Sequence, residues 1–94
     1  MFDFSEALHY VKQGMFVARE GWNGKGAFIF LVPGSQFVVN RAPLDAIFSA
    51  GTVINYHAHI DMRTANGTIV PWLASQTDVL AEDWVIVTPP HKLT

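Results

Sequence analysis

Six consecutive apolar residues, Ala27-Phe28-Ile29-Phe30-Leu31-Val32, constrain this chain more than any other stretch. They are rich in aromatic and β-branched side chains, and Pro33-Gly34 closes them with a turn signal. A run with no polar face reads as a central strand covered on both sides. It is far shorter than the roughly 18 apolar residues of a membrane span. The remaining segments therefore have to supply the layers that cover this strand.

Asp3-Phe4-Ser5-Glu6 carries a variant capping box, and Phe4, Ala7, Leu8 and Val11 then fall on one helical face. Gly14 stands where a helix of about three turns would end. Residues 15–19 read as a short strand, and residues 36–40 resume as strand after the Pro33-Gly34 turn, which predicts a hairpin with the apolar run. Pro43 suits the first turn of a short helix through Ile47 and Phe48, ended by Gly51. Residues 52–64 alternate as one strand, and Asn66-Gly67 is a strong hairpin signal before Thr68-Ile69-Val70. Ser75 or Thr77 caps a helical turn, and residues 84–88 form a last apolar strand with Trp84 in the core. The order predicts an α+β fold: a small, mostly antiparallel β-sheet, an N-terminal amphipathic helix and short helical turns.

Ninety-four residues suffice for a single domain over 1–94, with residues 89–94 as a loose tail after Pro89-Pro90. Half the residues are hydrophobic and 15% are charged, which leaves apolar surface over in so short a chain. Covering it by self-association predicts a homo-oligomer. The net charge is −2, and Lys12, Arg19, Lys25, Arg41, Arg63 and Lys92 are scattered singly. That pattern argues against a nucleic-acid polymer as partner, which clustered cations would track. With no cysteine, disulfides and thiolate zinc sites are excluded. Charges throughout residues 1–20 and no apolar leader segment predict a soluble cytoplasmic protein with no membrane partner.

Three constellations carry candidate chemistry. Gly21-Trp22-Asn23-Gly24-Lys25-Gly26 combines a stacking face, a two-way hydrogen bonder and a cation with glycines that bare the backbone amides. A purine, a ribose and a phosphate need those three features, so the segment suggests nucleotide recognition. The plainer alternative is a structural turn whose tryptophan plugs the core. Neither nucleotide fingerprint matches, because the glycines run G-x-x-G-x-G and a strand follows. Asn55, His57, His59 and Asp61 share one face if residues 52–64 form one strand, with Tyr56, Ala58, Ile60 and Met62 buried behind. Two alternate histidines and a carboxylate can start a metal site, although a polar outer strand is the simpler account. In Pro71-Trp72-Leu73-Ala74-Ser75-Gln76-Thr77-Asp78, Trp72 could stack while Thr77 and Asp78 bond a ribose or base edge. It could equally be a helix cap beside a core aromatic. Glu82-Asp83 reads as solvated, or as a helix end leading into the core residue Trp84. No nucleophile–base pair or carboxylate pair in a cleft can be argued, so binding is favoured over catalysis.

Two blocks, residues 17–26 and residues 65–84, together resemble a family of short phage and prophage proteins once described only as a domain of unknown function. The family includes the second type of Thoeris anti-defence protein, and the likeness runs from the Phe4-Ser5-Glu6-Ala7-Leu8 helix to about Val87. The resemblance implies a sponge. Thoeris is a bacterial defence in which a cyclised ADP-ribose signal activates a killing effector. Family members bind that signal between protomers of a homotetramer without cleaving it. Some relatives also hold cyclic dinucleotides at a separate site, and another was described as a CRISPR nuclease inhibitor. Carried onto matching positions, the resemblance implies ligand-binding roles for Trp22, Asn23, Gly24, Trp72, Thr77 and Asp78, with Arg19 and Lys25 as further candidates. Asn40-Arg41-Ala42-Pro43, in a variable segment, is a candidate pocket wall. No cofactor, metal or catalytic residue is implied, and the place of action is the host bacterial cytoplasm. The alternatives are a protein–protein inhibitor of a defence nuclease and a small metal-dependent phosphodiesterase using His57, His59 and Asp61.

Overall fold

The computed structural model describes residues 1–23 and 25–89, with Asn23 described by its backbone. The expected tail therefore lies, apart from Pro89, outside the described residues. Helix α1 (Phe4–Lys12) begins at its capping signal, the Asp3 carboxylate accepting the Glu6 N–H at 3.0 Å. Gly14, at φ 90°, adopts the left-handed conformation that stops the helix. Strands follow as β1 (Phe16–Arg19), β2 (Phe28–Val32), β3 (Ser35–Val38), β4 (Val53–Tyr56), β5 (His59–Arg63), β6 (Ile69–Pro71) and β7 (Trp84–Val87). Two short helical turns, α2 (Glu20–Asn23) and α3 (Gln76–Leu80), precede β2 and β7 respectively.

Five strands form one sheet in the order β6-β5-β2-β1-β7, with every pairing antiparallel. The apolar run is its middle strand, as its composition requires. Val17 pairs with Ile29 and Arg19 with Trp84, so period two places Val17, Ile29 and Trp84 on one face. There they form the core with Ala7 and Val11 of α1. The opposite face carries Phe16, Phe28 and Phe30, whose rings pack on one another at 5.5, 5.7 and 6.0 Å. This gives an α+β fold built on antiparallel sheet.

The expectation of one strand over residues 52–64 is corrected: β4 and β5 belong to different sheets. Val32 faces His59 and Ser35 faces Tyr56, so Pro33-Gly34 lies opposite His57-Ala58 and the register is unchanged across the gap. Pro33 has no N–H to donate, and a Cβ on Gly34 would meet the Tyr56 carbonyl at 3.4 Å. The ladder stops there, and β3 and β4 continue as a ribbon that pairs only with itself among the described residues. The hairpin expected at Pro33-Gly34 is thereby corrected, because the chain runs on in line from β2 to β3 and the two do not pair. Tyr56 and Ala58, expected behind the strand, are exposed, whereas Ile60 and Met62 do pack against the core.

The ribbon ends in the short helix expected after Pro43, a single 3-10 turn over Leu44–Ala46 that stops before Phe48. An isolated two-stranded ribbon is marginal in water. This one leaves Phe37, Val38, Val53 and Tyr56 exposed, along with Ile47 and Phe48 near its tip. The radius of gyration is 16.0 Å, against about 13 Å for a compact chain of this length.

Candidate ligand-binding site

Trp84, fully buried at the start of β7, is the centre of the site. Its indole N–H donates to the Asp78 carbonyl at 3.0 Å, which ties α3 to the sheet. Ser75 caps that helix by accepting the Asp78 N–H at 3.0 Å, so the backbone of Asp78 is held at both ends. Trp22 of α2 and Trp72, just after β6, each pack edge-on against Trp84, at 5.3 Å and 81° and at 6.2 Å and 87°. Phe4 touches both Trp72 and Trp84, at 5.9 and 5.3 Å. Trp22 and Trp72 are half-buried: each gives part of its ring to the core and keeps part at the surface.

Beside the indoles, Arg19 at the end of β1 is shared by two carboxylates. Its Nε and Nη2 donate to the two Asp83 oxygens at 2.9 and 3.4 Å, and its Nη1 donates to Asp78 Oδ1 at 3.0 Å. The bond to Asp83, then that to Asp78, raises the guanidinium above its ordinary value. The same guanidinium, by its hydrogen bond first, holds the Asp83 carboxyl below its ordinary 3.8. A carboxylate whose folded value is depressed adds stability above its unfolded value and loses it as pH falls through the folded one. Wild-type stability in urea is therefore expected to fall on acidification through the range below 3.8, and Asp83→Asn to remove that part of the slope. Equal slopes in the two proteins would count against the pair.

The structure thus joins four of the expected residues, Arg19, Trp22, Trp72 and Asp78, around Trp84. Thr77 is exposed beside Asp78 on α3. The reading of residues 21–26 as an open glycine loop is corrected in part: Gly21 and Trp22 lie inside α2, and the Lys25 N–H donates to the Trp22 carbonyl at 2.9 Å. The Asn23 side chain and Gly24 lie outside the described residues. Lys25 lines a separate cavity of about 390 Å³ with Phe28 and Arg63, whose guanidinium donates to the Gly26 carbonyl at 2.6 Å. A cavity of about 550 Å³ in the ribbon is lined by Asn40, Arg41, Ala42 and Pro43 with Tyr56. Neither cavity reaches Trp22 or Trp72.

The shared polar face of Asn55, His57, His59 and Asp61 is also corrected, because the ladder breaks through it. Asn55 accepts from Gln36 in the ribbon at 2.8 Å. His57 contributes its carbonyl to His59 Nδ1 at 3.0 Å, and His59 Nε2 stands 3.6 Å from Asp61. Among the described residues no three His, Asp or Glu side chains come together as a metal site. Sequence reasoning missed Asp83, read as solvated or as part of a helix end. Only the pairing of β1 with β7 brings it to Arg19, and no local pattern announces that pairing.

The family model of the Thoeris anti-defense 2-like domain matches residues 2–87. The chain belongs to this family. It is 46% identical over 88 residues to Thoeris anti-defense 2 of Bacillus phage SP01, covering 90% of this chain and 93% of that protein. The indole cluster and the Asp78–Arg19–Asp83 clamp fall wholly within the span matched by the Thoeris anti-defense 2-like family. No helix among the described residues is long and apolar enough to cross a membrane.

Proposed function

We propose that this chain is a phage anti-defence protein that sequesters a cyclic nucleotide signal of Thoeris, a cyclised ADP-ribose, without cleaving it. The observation that carries the reading is the pair of half-buried indoles, Trp22 and Trp72, set edge-on to Trp84 beside the Asp78 carboxylate. Each exposed ring portion is a stacking platform, worth about 1–3 kcal/mol per base. Asp78 accepts from ribose hydroxyls or a base amine, and Thr77 adds a hydroxyl at the same end of α3. Asn23 and Gly24 complete the binding segment in this reading. Nothing in this set is a nucleophile with a base at hydrogen-bond distance, which suits retention better than turnover.

Self-association belongs to the proposal. The apolar ribbon offers surface for a homotetramer, and a neighbouring protomer would enclose a ligand that one copy leaves open. Cyclic dinucleotides are the second ligand class, and the host bacterial cytoplasm is the place of action. The exposed Phe37, Val38, Ile47 and Val53 favour one competing reading, a ribbon that docks on a defence nuclease.

Calorimetry with cyclic ADP-ribose isomers and cyclic dinucleotides, followed by heat denaturation and recovery of the ligand, tests these readings together. The expected result is tight binding and chemically intact ligand. Altered ligand points to a phosphodiesterase, and absence of binding to every nucleotide favours the protein partner.

A further inference from the structure

We infer that Asp83 is a positioning residue of this site: it fixes Arg19 so that Asp78 presents one oxygen to hydroxyl or amino groups of the ligand. This rests on the proposed nucleotide binding and adds a residue and a polarity to it. The geometry begins with the backbone. The Asp83 carbonyl accepts the Glu20 N–H at 2.9 Å, and the next residue is the buried Trp84, so the carboxylate starts from a fixed point. It then meets the Nε–Nη2 edge of Arg19 with both oxygens, a fork that sets the plane of the guanidinium as well as its place. The opposite edge of the guanidinium is left to turn toward Asp78, and its Nη1 donates to Oδ1.

Asp78 Oδ2 makes no hydrogen bond to the described residues, although the side chain is only 15% exposed. Because no side-chain polar atom among the described residues is both buried and unpartnered, this oxygen stands at an opening, where it can accept a donor from outside the chain. One guanidinium between two carboxylates leaves the trio with a charge of −1. It repels phosphate and attracts ribose hydroxyls or an exocyclic amine. Arg19, a further ligand-binding candidate by the family resemblance, is instead consumed in holding the acceptor in place. The phosphates of a bound nucleotide therefore face away from this end.

The test measures the affinity of cyclic ADP-ribose, and of analogues each lacking one ribose hydroxyl, for the wild type, Asp83→Asn and Asp83→Glu. In the wild type one analogue is expected to bind about tenfold more weakly, the scale of a hydrogen bond to a charged group. Asp83→Asn should weaken the parent ligand by a similar factor and shrink the gap between parent and analogue, and Asp83→Glu should restore part of both. A merely structural role would lower affinity for all ligands alike and keep the gap, and that result overturns the inference. So does an Asp83→Asn protein that binds like the wild type, or a wild type indifferent to every hydroxyl. A wild type that binds none of these nucleotides overturns the proposed function itself, and this inference with it.

Discussion

Trp84→Ala is expected to destabilise the protein more than any other single substitution. The ring is fully buried and touches Phe4, Trp22 and Trp72. Truncating so large a core aromatic costs about 3–5 kcal/mol. Losing the indole N–H also removes one of the two hydrogen bonds to the Asp78 carbonyl, which keeps the Ala81 N–H at 3.3 Å, a further loss of about 0.5–1.5 kcal/mol. That approaches the whole stability of a small domain, about 5–15 kcal/mol. Urea denaturation followed by far-UV circular dichroism measures it. Trp84→Phe keeps most of the ring and removes the donor, so its smaller loss separates packing from the hydrogen bond. A midpoint for Trp84→Ala close to that of the wild type would show that α1, α2 and α3 do not depend on this side chain.

Trp22→Ala is the second large effect, and it acts on the ligand. The ring shares its edge contact with the core but keeps part of its surface exposed. Removing a stacked face should cost about 1–3 kcal/mol of binding, which is roughly 5- to 150-fold in affinity. The loss of folding stability should be smaller than for Trp84→Ala, because less of this ring is buried. Trp22→Phe retains a narrower platform and should recover part of the affinity. Calorimetry with cyclic ADP-ribose reads both numbers. Unchanged affinity in Trp22→Ala would falsify the stacking role, whereas equal losses of stability in Trp22→Ala and Trp84→Ala would return Trp22 to the core.

Features encoded within a few residues are legible in the amino-acid order alone. Asp3 with Glu6, Gly14, Asn66-Gly67 and Ser75 each act through a hydrogen bond or a backbone angle set by near neighbours. The apolar run reads as a middle strand from its aromatic and β-branched residues, and residues 28–32 of it form one. The three segments bearing the candidate site are likewise visible as blocks, since they are short and their residue types are unusual. Local rules fail where they meet a distant constraint. Residues 52–64 alternate well enough for a single strand, but the missing N–H of Pro33 on the partner strand ends the ladder at His57-Ala58. Gly21 suggests an open loop, yet the turn from β1 toward β2 closes as the helical turn α2.

The sequence by itself determined the N-terminal helix, the Asn66-Gly67 hairpin, the central strand and the family resemblance, because periodicity and short-range bonds act between neighbouring residues. The hairpin it suggests at Pro33-Gly34 gave way to the pairing of β2 with β5. Only the tertiary structure decided what the charges do. Arg19 and Asp83 are 64 residues apart and meet through the pairing of β1 with β7, so a cation that stands alone in the sequence is held between two carboxylates. Lys25, near Trp22 in the chain, lines a cavity with Arg63 across the β2–β5 pair, apart from the indoles. The reason is that strand pairing is set by how the whole core closes around Trp84 and Ile29, and no window of sequence contains that closure.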